Sequence, residues 1–140
     1  MPRRLLALAL GAVLTVGGLA ACGADDAATT SPAATVTDVD PAGFAELATE
    51  PGVTILDVRT PQEFAAGHLP GAVNIDSSAP DFAELVSELP QDGRYLVYCQ
   101  TSNRSGVATD RMVDLGFTDV YDMKGGIVAW AADGGPVVTD

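Results

Sequence analysis

The chain is poor in the residues that usually carry charge-based or metal-based recognition. Lysine and arginine number seven against nineteen acidic residues, for a formal net charge of -12. Affinity for nucleic acid rests on cations that neutralise phosphates, so that class of partner is excluded. There is one histidine, and it stands beside carboxylates without the clustering that metal ligands show. No metal and no cofactor is therefore expected. Aromatic residues are only 6% of the chain, so a core must be built mainly from Ala, Val and Leu. A length of 140 residues excludes a second domain.

Part of the apolar content belongs to an address. Arg3 and Arg4 precede an apolar run from Leu5 to Val16, the pattern of a bacterial signal peptide. Without these two arginines, five basic residues face nineteen acidic ones, a net charge of -14. Such a surface suits solubility outside the cell and repels dissolved anions at long range. Leu19-Ala20-Ala21-Cys22 resembles the lipobox at which bacterial lipoproteins are lipidated on cysteine and cleaved before it. Residues 1–21 are then a lipoprotein signal peptide, and acyl chains on Cys22 hold the protein at the extracytoplasmic face of the cell membrane. An ordinary cleaved signal peptide and an uncleaved membrane helix are the competing readings. Residues 22–34 are small or polar and read as a disordered tether.

Two cysteines in an exported chain suggest a disulfide, but lipidation would consume the Cys22 sulfur. Cys99 is then a lone thiol in an oxidising compartment, which favours a functional reason for its presence.

From residue 35 onward short β-branched runs alternate with helical stretches, which predicts an α/β domain with a parallel sheet over residues 35–140. Strands are expected at Val36–Val39, Val53–Val58, Ala72–Ile75, Tyr95–Tyr98 and Asp119–Met123, the middle three apolar enough to be buried on both faces. Helices are expected from Pro41 to Thr49, capped by Asp40, then at Pro61–Ala66, Asp81–Leu89, Arg104–Leu115 and, after a Gly125-Gly126 turn, Ile127–Ala132.

The segment from Tyr95 to Ser105 carries the chemistry. A buried strand ends at Cys99, and the polar stretch Gln100-Thr101-Ser102-Asn103 leads into a helix at Arg104. Backbone N–H groups curling over the end of a parallel strand, with the positive end of the next helix, stabilise a thiolate or persulfide anion. Arg104 adds a fixed positive charge or braces the loop carbonyls. On spacing alone, a buried inert cysteine followed by a helix-starting arginine accounts for the pattern as well. The functional reading requires that water reach the sulfur.

Leu56-Asp57-Val58-Arg59-Thr60-Pro61-Gln62-Glu63-Phe64, followed by Gly67 to Ile75, resembles the first signature of rhodanese domains. Cys99 to Ser105 is similar to the active loop of that family, and Gly116-Phe117, Gly125-Gly126, Trp130, Gly134 and Pro136-Val137 to its closing pattern. The likeness spans Val36 to Val138. It implies a rhodanese-like fold, a five-stranded parallel central sheet flanked by helices on both faces with the loop at its centre. It implies a sulfurtransferase in which Cys99 takes the outer sulfur of a donor as a persulfide and passes it to a thiol or cyanide. Cys99 and Arg104 are then catalytic, Gln100, Thr101, Ser102, Asn103, Arg104 and Ser105 bind substrate, and Asp57, Arg59 and His68 give structural support, in a protein expected to be monomeric. The related phosphatases use a loop one residue longer, which counts against phosphatase or arsenate chemistry. A noncatalytic sulfur-binding or redox-sensing module is the remaining alternative.

Two residues depart from the family pattern. Ser102 stands where many rhodanese loops have glycine, and serine is strained there if the backbone needs a positive φ. Gln100 stands where basic residues often help to bind thiosulfate. With so acidic a chain, a neutral or protein-bound persulfide is a more credible donor than anionic thiosulfate. Phe117 and Trp130 are expected to pack in the core.

Overall fold

The computed structural model describes residues 34–139; the expected signal peptide, the expected lipidation site Cys22 and the expected tether up to residue 33 lie outside the described residues. No helix among the described residues is long and apolar enough to cross a membrane.

Five strands and five helices alternate: β1 Val36–Val39, α1 Pro41–Leu47, β2 Val53–Asp57, α2 Pro61–Ala66, β3 Val73–Asn74, α3 Phe82–Ser87, β4 Arg94–Tyr98, α4 Asn103–Asp114, β5 Asp119–Met123 and α5 Gly126–Ala132. All pairings are parallel, in the order β1-β5-β4-β2-β3, so the strand that ends at Tyr98 is central. Parallel neighbours need crossovers, and helices covering both faces are the usual result.

Alternation along β4 divides the core. Tyr95, Val97 and Cys99 face α3 and α4, meeting Phe82, Val86, Ala108 and Met112. Leu96 and Tyr98 face α1 and α5, meeting Phe44, Ile127 and Trp130. Because β-strand side chains point to opposite faces in turn, the Cys99 sulfur is committed to the α4 side and Tyr98 to the α5 side. The few aromatics close the core edge to face, with Phe44 against Tyr98 and Trp130, and Tyr95 against Phe117. Phe117 is fully buried and Trp130 nearly so, the indole N–H donating to the Pro136 carbonyl at 2.9 Å.

The Asp40 cap forms as expected, its carboxylate accepting from the Gly43 N–H at 2.8 Å, with Pro41 opening α1. The expected buried strand Ala72–Ile75 requires correction. Only Val73 and Asn74 pair, on the outer edge of β2, and Val73 is 48% exposed. Asn74 turns its amide onto the carbonyls of Asp57 and Arg59, at 3.0 and 2.8 Å. That use of the side chain ties the segment to the loop after β2 and ends the ladder. The expected helices over 41–49 and 81–89 are also shorter at their ends, which close in single-turn bonds such as Glu50 N–H to Leu47 O.

Candidate functional site

The site begins where β4 gives way to α4. α5 docks its first amides on the departing chain: Ile127 N–H donates to Cys99 O at 2.9 Å, and Val128 N–H to Gln100 O at 3.3 Å. A trans peptide is planar, with carbonyl and following N–H pointing opposite ways. Fixing these two carbonyls toward α5 therefore turns the N–H groups of Gln100 and Thr101 the other way, to the side on which the Cys99 side chain lies. Gly126, at φ +58°, permits the approach; a Cβ there would collide with the carbonyls of Cys99 and Gln100.

The loop then reverses at Ser102, whose φ is 76°, the one non-glycine residue at positive φ among the described residues. The reversal brings the Ser102 N–H to the Cys99 sulfur at 3.1 Å. Asn103, Arg104 and Ser105 form the first turn of α4, whose N–H groups have no intrahelical partner. Together with Gln100 and Thr101 they find no backbone acceptor among the described residues. The result is one donor on the sulfur, the Ser102 N–H, beside loop amides left without backbone acceptors, an arrangement suited to an anion.

Three expectations change here. The Cys99 residue is only 1% exposed, so the sulfur is covered and does not stand open to water. The physical reason is the direction of its side chain, into the face that α4 covers. Arg104 neither braces the loop carbonyls nor offers a free charge: its guanidinium is held by both oxygens of Glu63, at 2.7 Å each. Ser105 is fully buried with its hydroxyl directed to Ser102 O at 3.2 Å, so only its amide is left for a ligand. Thr101 and Asn103 are exposed, and Gln100 is half-buried.

Asp57, Arg59 and His68 form the floor. Arg59 is 4% exposed and grips Asp57 through Nε and Nη2, the latter at 2.6 Å, while also donating to Gly67 O at 2.7 Å and Gln100 Oε1 at 3.3 Å. A buried guanidinium needs such a full set of acceptors. The His68 ring stacks on Phe64 at 3.7 Å with Nδ1 2.9 Å from Phe64 O, and its backbone exchanges two 2.9 Å bonds with Val138. These contacts pin the turn before Pro70 to the C-terminal segment.

Glu63 stands in the sequence with Asp57, Arg59 and His68 as an acid/base or metal set without ligand clustering and is expected to be structural. Nothing in the loop sequence marks it as the partner of Arg104, although the Thr60-x-x-Glu63 spacing is a capping-box signal. It closes that box on Thr60 and holds Arg104 at the same time. The Arg104 hydrogen bonds, then those from Thr60, hold its carboxyl at about 2 against an opposing effect of burial. Asp122, on β5 beneath α4, also had no sequence signal. It is 1% exposed, its Oδ1 has no hydrogen-bond partner among the described residues, and burial pushes its carboxyl upward against Ser105 and Lys124. Among the described residues no three His, Cys, Asp or Glu side chains converge as metal ligands would.

A cleft of about 390 Å³ borders the loop, between α2, α5 and the C-terminal segment, with Gln100, Arg59 and Glu63 on its polar side. A parallel α/β domain whose central strand delivers a cysteine into an amide-lined loop is thus defined. The family model for the rhodanese-like domain matches residues 40–133, and the chain belongs to that family. It is 43% identical over 95 residues to thiosulfate sulfurtransferase 16 of Arabidopsis thaliana, covering 61% of this chain and 79% of that one. It is 36% identical over 94 residues to the thiosulfate sulfurtransferase GlpE of Pseudomonas putida, covering 67% and 84%. The crystal structure of a rhodanese-related protein from Thermoplasma volcanium superposes with a TM-score of 0.66 at 34% identity, covering 74% of this chain and 99% of that one.

Two substitutions test the loop. Ser102→Gly relieves the left-handed strain, and the urea midpoint should rise by an amount equivalent to about 1 kcal/mol. Glu63→Gln should cost roughly 1 kcal/mol at neutral pH, from the cap and the half-exposed pair. Because the folded-state value of Glu63 lies near 2, below the ordinary 4.5, its stabilisation is complete above about 4.5 and is lost as pH falls through about 2. The difference in urea midpoint between wild type and Glu63→Gln should accordingly narrow across that window.

Proposed function

We propose that the protein is an extracytoplasmic rhodanese-type sulfurtransferase that carries sulfane sulfur on Cys99. The Cys99 thiolate attacks the outer sulfur of a donor, thiosulfate or a persulfide; the donor S–S bond breaks, and sulfite or the thiolate leaves with the bonding pair. A thiol or cyanide then attacks the outer sulfur of the Cys99 persulfide and releases the thiolate for another cycle. The observation that carries this reading is the Ser102 N–H donating to the Cys99 sulfur at 3.1 Å, beside the unpaired first-turn amides of α4, at the one free thiol among the described residues. Hydrogen bonds to an anionic sulfur are the charge-assisted kind, worth roughly twice a neutral one. The names of the relatives support the reaction class.

The same site gives Arg104 and Arg59 positioning roles. Arg104 ties the start of α4 to α2 through Glu63, and Arg59 ties Gln100 to the floor through its own bond to Asp57. With Cys99 only 1% exposed, donor attack includes a step in which the residues over the sulfur part. That burial is also the observation favouring the second reading, a module that binds sulfur or senses oxidant without turnover.

Turnover separates the two. With thiosulfate or a low-molecular-weight persulfide as donor and cyanide as acceptor, the wild-type protein should form many equivalents of thiocyanate and Cys99→Ser none. One equivalent at most, with sulfur retained on Cys99, supports the binding module instead. The proposed anchor is Cys22, supported by the lipobox-like sequence and the polar tether. Expressed in a bacterium with lipoprotein processing, the wild type should fractionate with membranes, and Cys22→Ala should move to the soluble exported fraction. An unchanged distribution contradicts the anchor.

A further inference from the structure

The walls of the cleft beside the loop do not suit an inorganic dianion. Its apolar side includes Val128, Val137 and Ala131, and the two valines are 51% and 44% exposed. Exposed valines on facing segments beside a polar loop form a surface that gains from being covered. The polar side offers no free cation. Arg59, the one cation in its lining, is committed to Asp57, and Glu63 brings a carboxylate already paired with Arg104. Gln100, next to the nucleophile, brings a neutral carboxamide whose oxygen already accepts from Arg59, which leaves its N–H groups as donors. A dianion entering this cleft would meet one neutralised guanidinium and the Glu63 carboxylate inside a chain of net charge -12.

We propose that this cleft seats the apolar body of a small organic sulfane-sulfur donor, and that the protein uses such donors in preference to inorganic thiosulfate. The proposal rests on Cys99 being the sulfur acceptor and names the class of donor. The body lies between α5 and the C-terminal segment, Gln100 donates to the polar end, and the terminal sulfur extends past Gln100 to Cys99 when the residues over that sulfur part. Organic thiosulfonates, R–SO₂–S⁻, are suitable probes because the reaction is the same while R varies. The Cys99 thiolate attacks the outer sulfur, the S–S bond of the donor breaks, and the sulfinate R–SO₂⁻ leaves with the electron pair. The thiolate pair becomes the new S–S bond, and the transferred sulfur keeps on the persulfide the negative charge it bore in the donor.

The test compares benzenethiosulfonate, methanethiosulfonate and thiosulfate as donors to the full chain, with cyanide as common acceptor and intact mass to follow sulfur on Cys99. One methylene in an apolar pocket already discriminates by about tenfold or more, so kcat/KM for the benzene donor should exceed that for the methane donor by at least that factor. Thiosulfate should be the poorest of the three. In Val128→Ser and Val137→Ser the benzene-to-methane ratio should fall toward one, and Gln100→Lys should raise thiosulfate relative to the other two. Equal use of the two thiosulfonates, or a ratio untouched by both valine substitutions, overturns the cleft proposal while leaving sulfur transfer through Cys99 intact. Failure of all three donors to place sulfur on Cys99 overturns both.

Discussion

The docking of α5 on the carbonyls of Cys99 and Gln100 is the constraint on which the rest of the site depends. Those two oxygens belong to a chain leaving a central strand, where no further ladder partner awaits them. By taking them, Ile127 and Val128 settle the orientation of two peptide planes and so direct the amides of Gln100 and Thr101 toward the sulfur side. The left-handed glycine pair at 125 and 126 allows the contact, because a side chain at 126 would occupy the same space as the carbonyls. α4 completes the arrangement with amides that a helix start leaves unpaired, and Ser102 makes the reversal that joins the halves.

Around this nest the charged residues serve mainly as braces. Asp57, Arg59 and Gln100 form one connected line from β2 to the loop, and Thr60, Glu63 and Arg104 form another from α2 to α4. Each guanidinium is satisfied by a carboxylate, which holds geometry while cancelling charge. Attraction for an anionic sulfur is thereby left to fixed backbone dipoles, which need little reorganisation when charge develops. In the proposed reaction the same cancellation leaves selection among donors to shape and apolar contact.

Much of this was legible in the sequence. The order of strands and helices follows the alternation of β-branched runs and helical stretches, and α1 and α2 start where a capping side chain and a proline mark them. The capping aspartate and the packing of Phe117 and Trp130 were readable from residue chemistry, whereas strain at Ser102 was raised only by comparison with the glycine of many rhodanese loops. Residues 72–75 misled because an apolar run does not reveal whether a partner strand is present on both sides, and here Asn74 ends the pairing. Arg104 misled for a related reason. Its partner lies forty-one positions away on α2, and only the packing of α2 against the loop makes the pair. The covering of the Cys99 sulfur likewise depends on which face of β4 α4 protects, a tertiary fact.

The central claim is that loop amides cradle the sulfur that Cys99 carries, and proton resonances of those amides report on it most directly. When one sulfane sulfur is placed on Cys99, the amide protons of Gln100, Thr101, Asn103, Arg104 and Ser105 should move downfield together, with little change along β1 and α1. The same treatment of Cys99→Ser should move none of them. Loop amides that keep their positions while Cys99 carries the added sulfur would contradict the account.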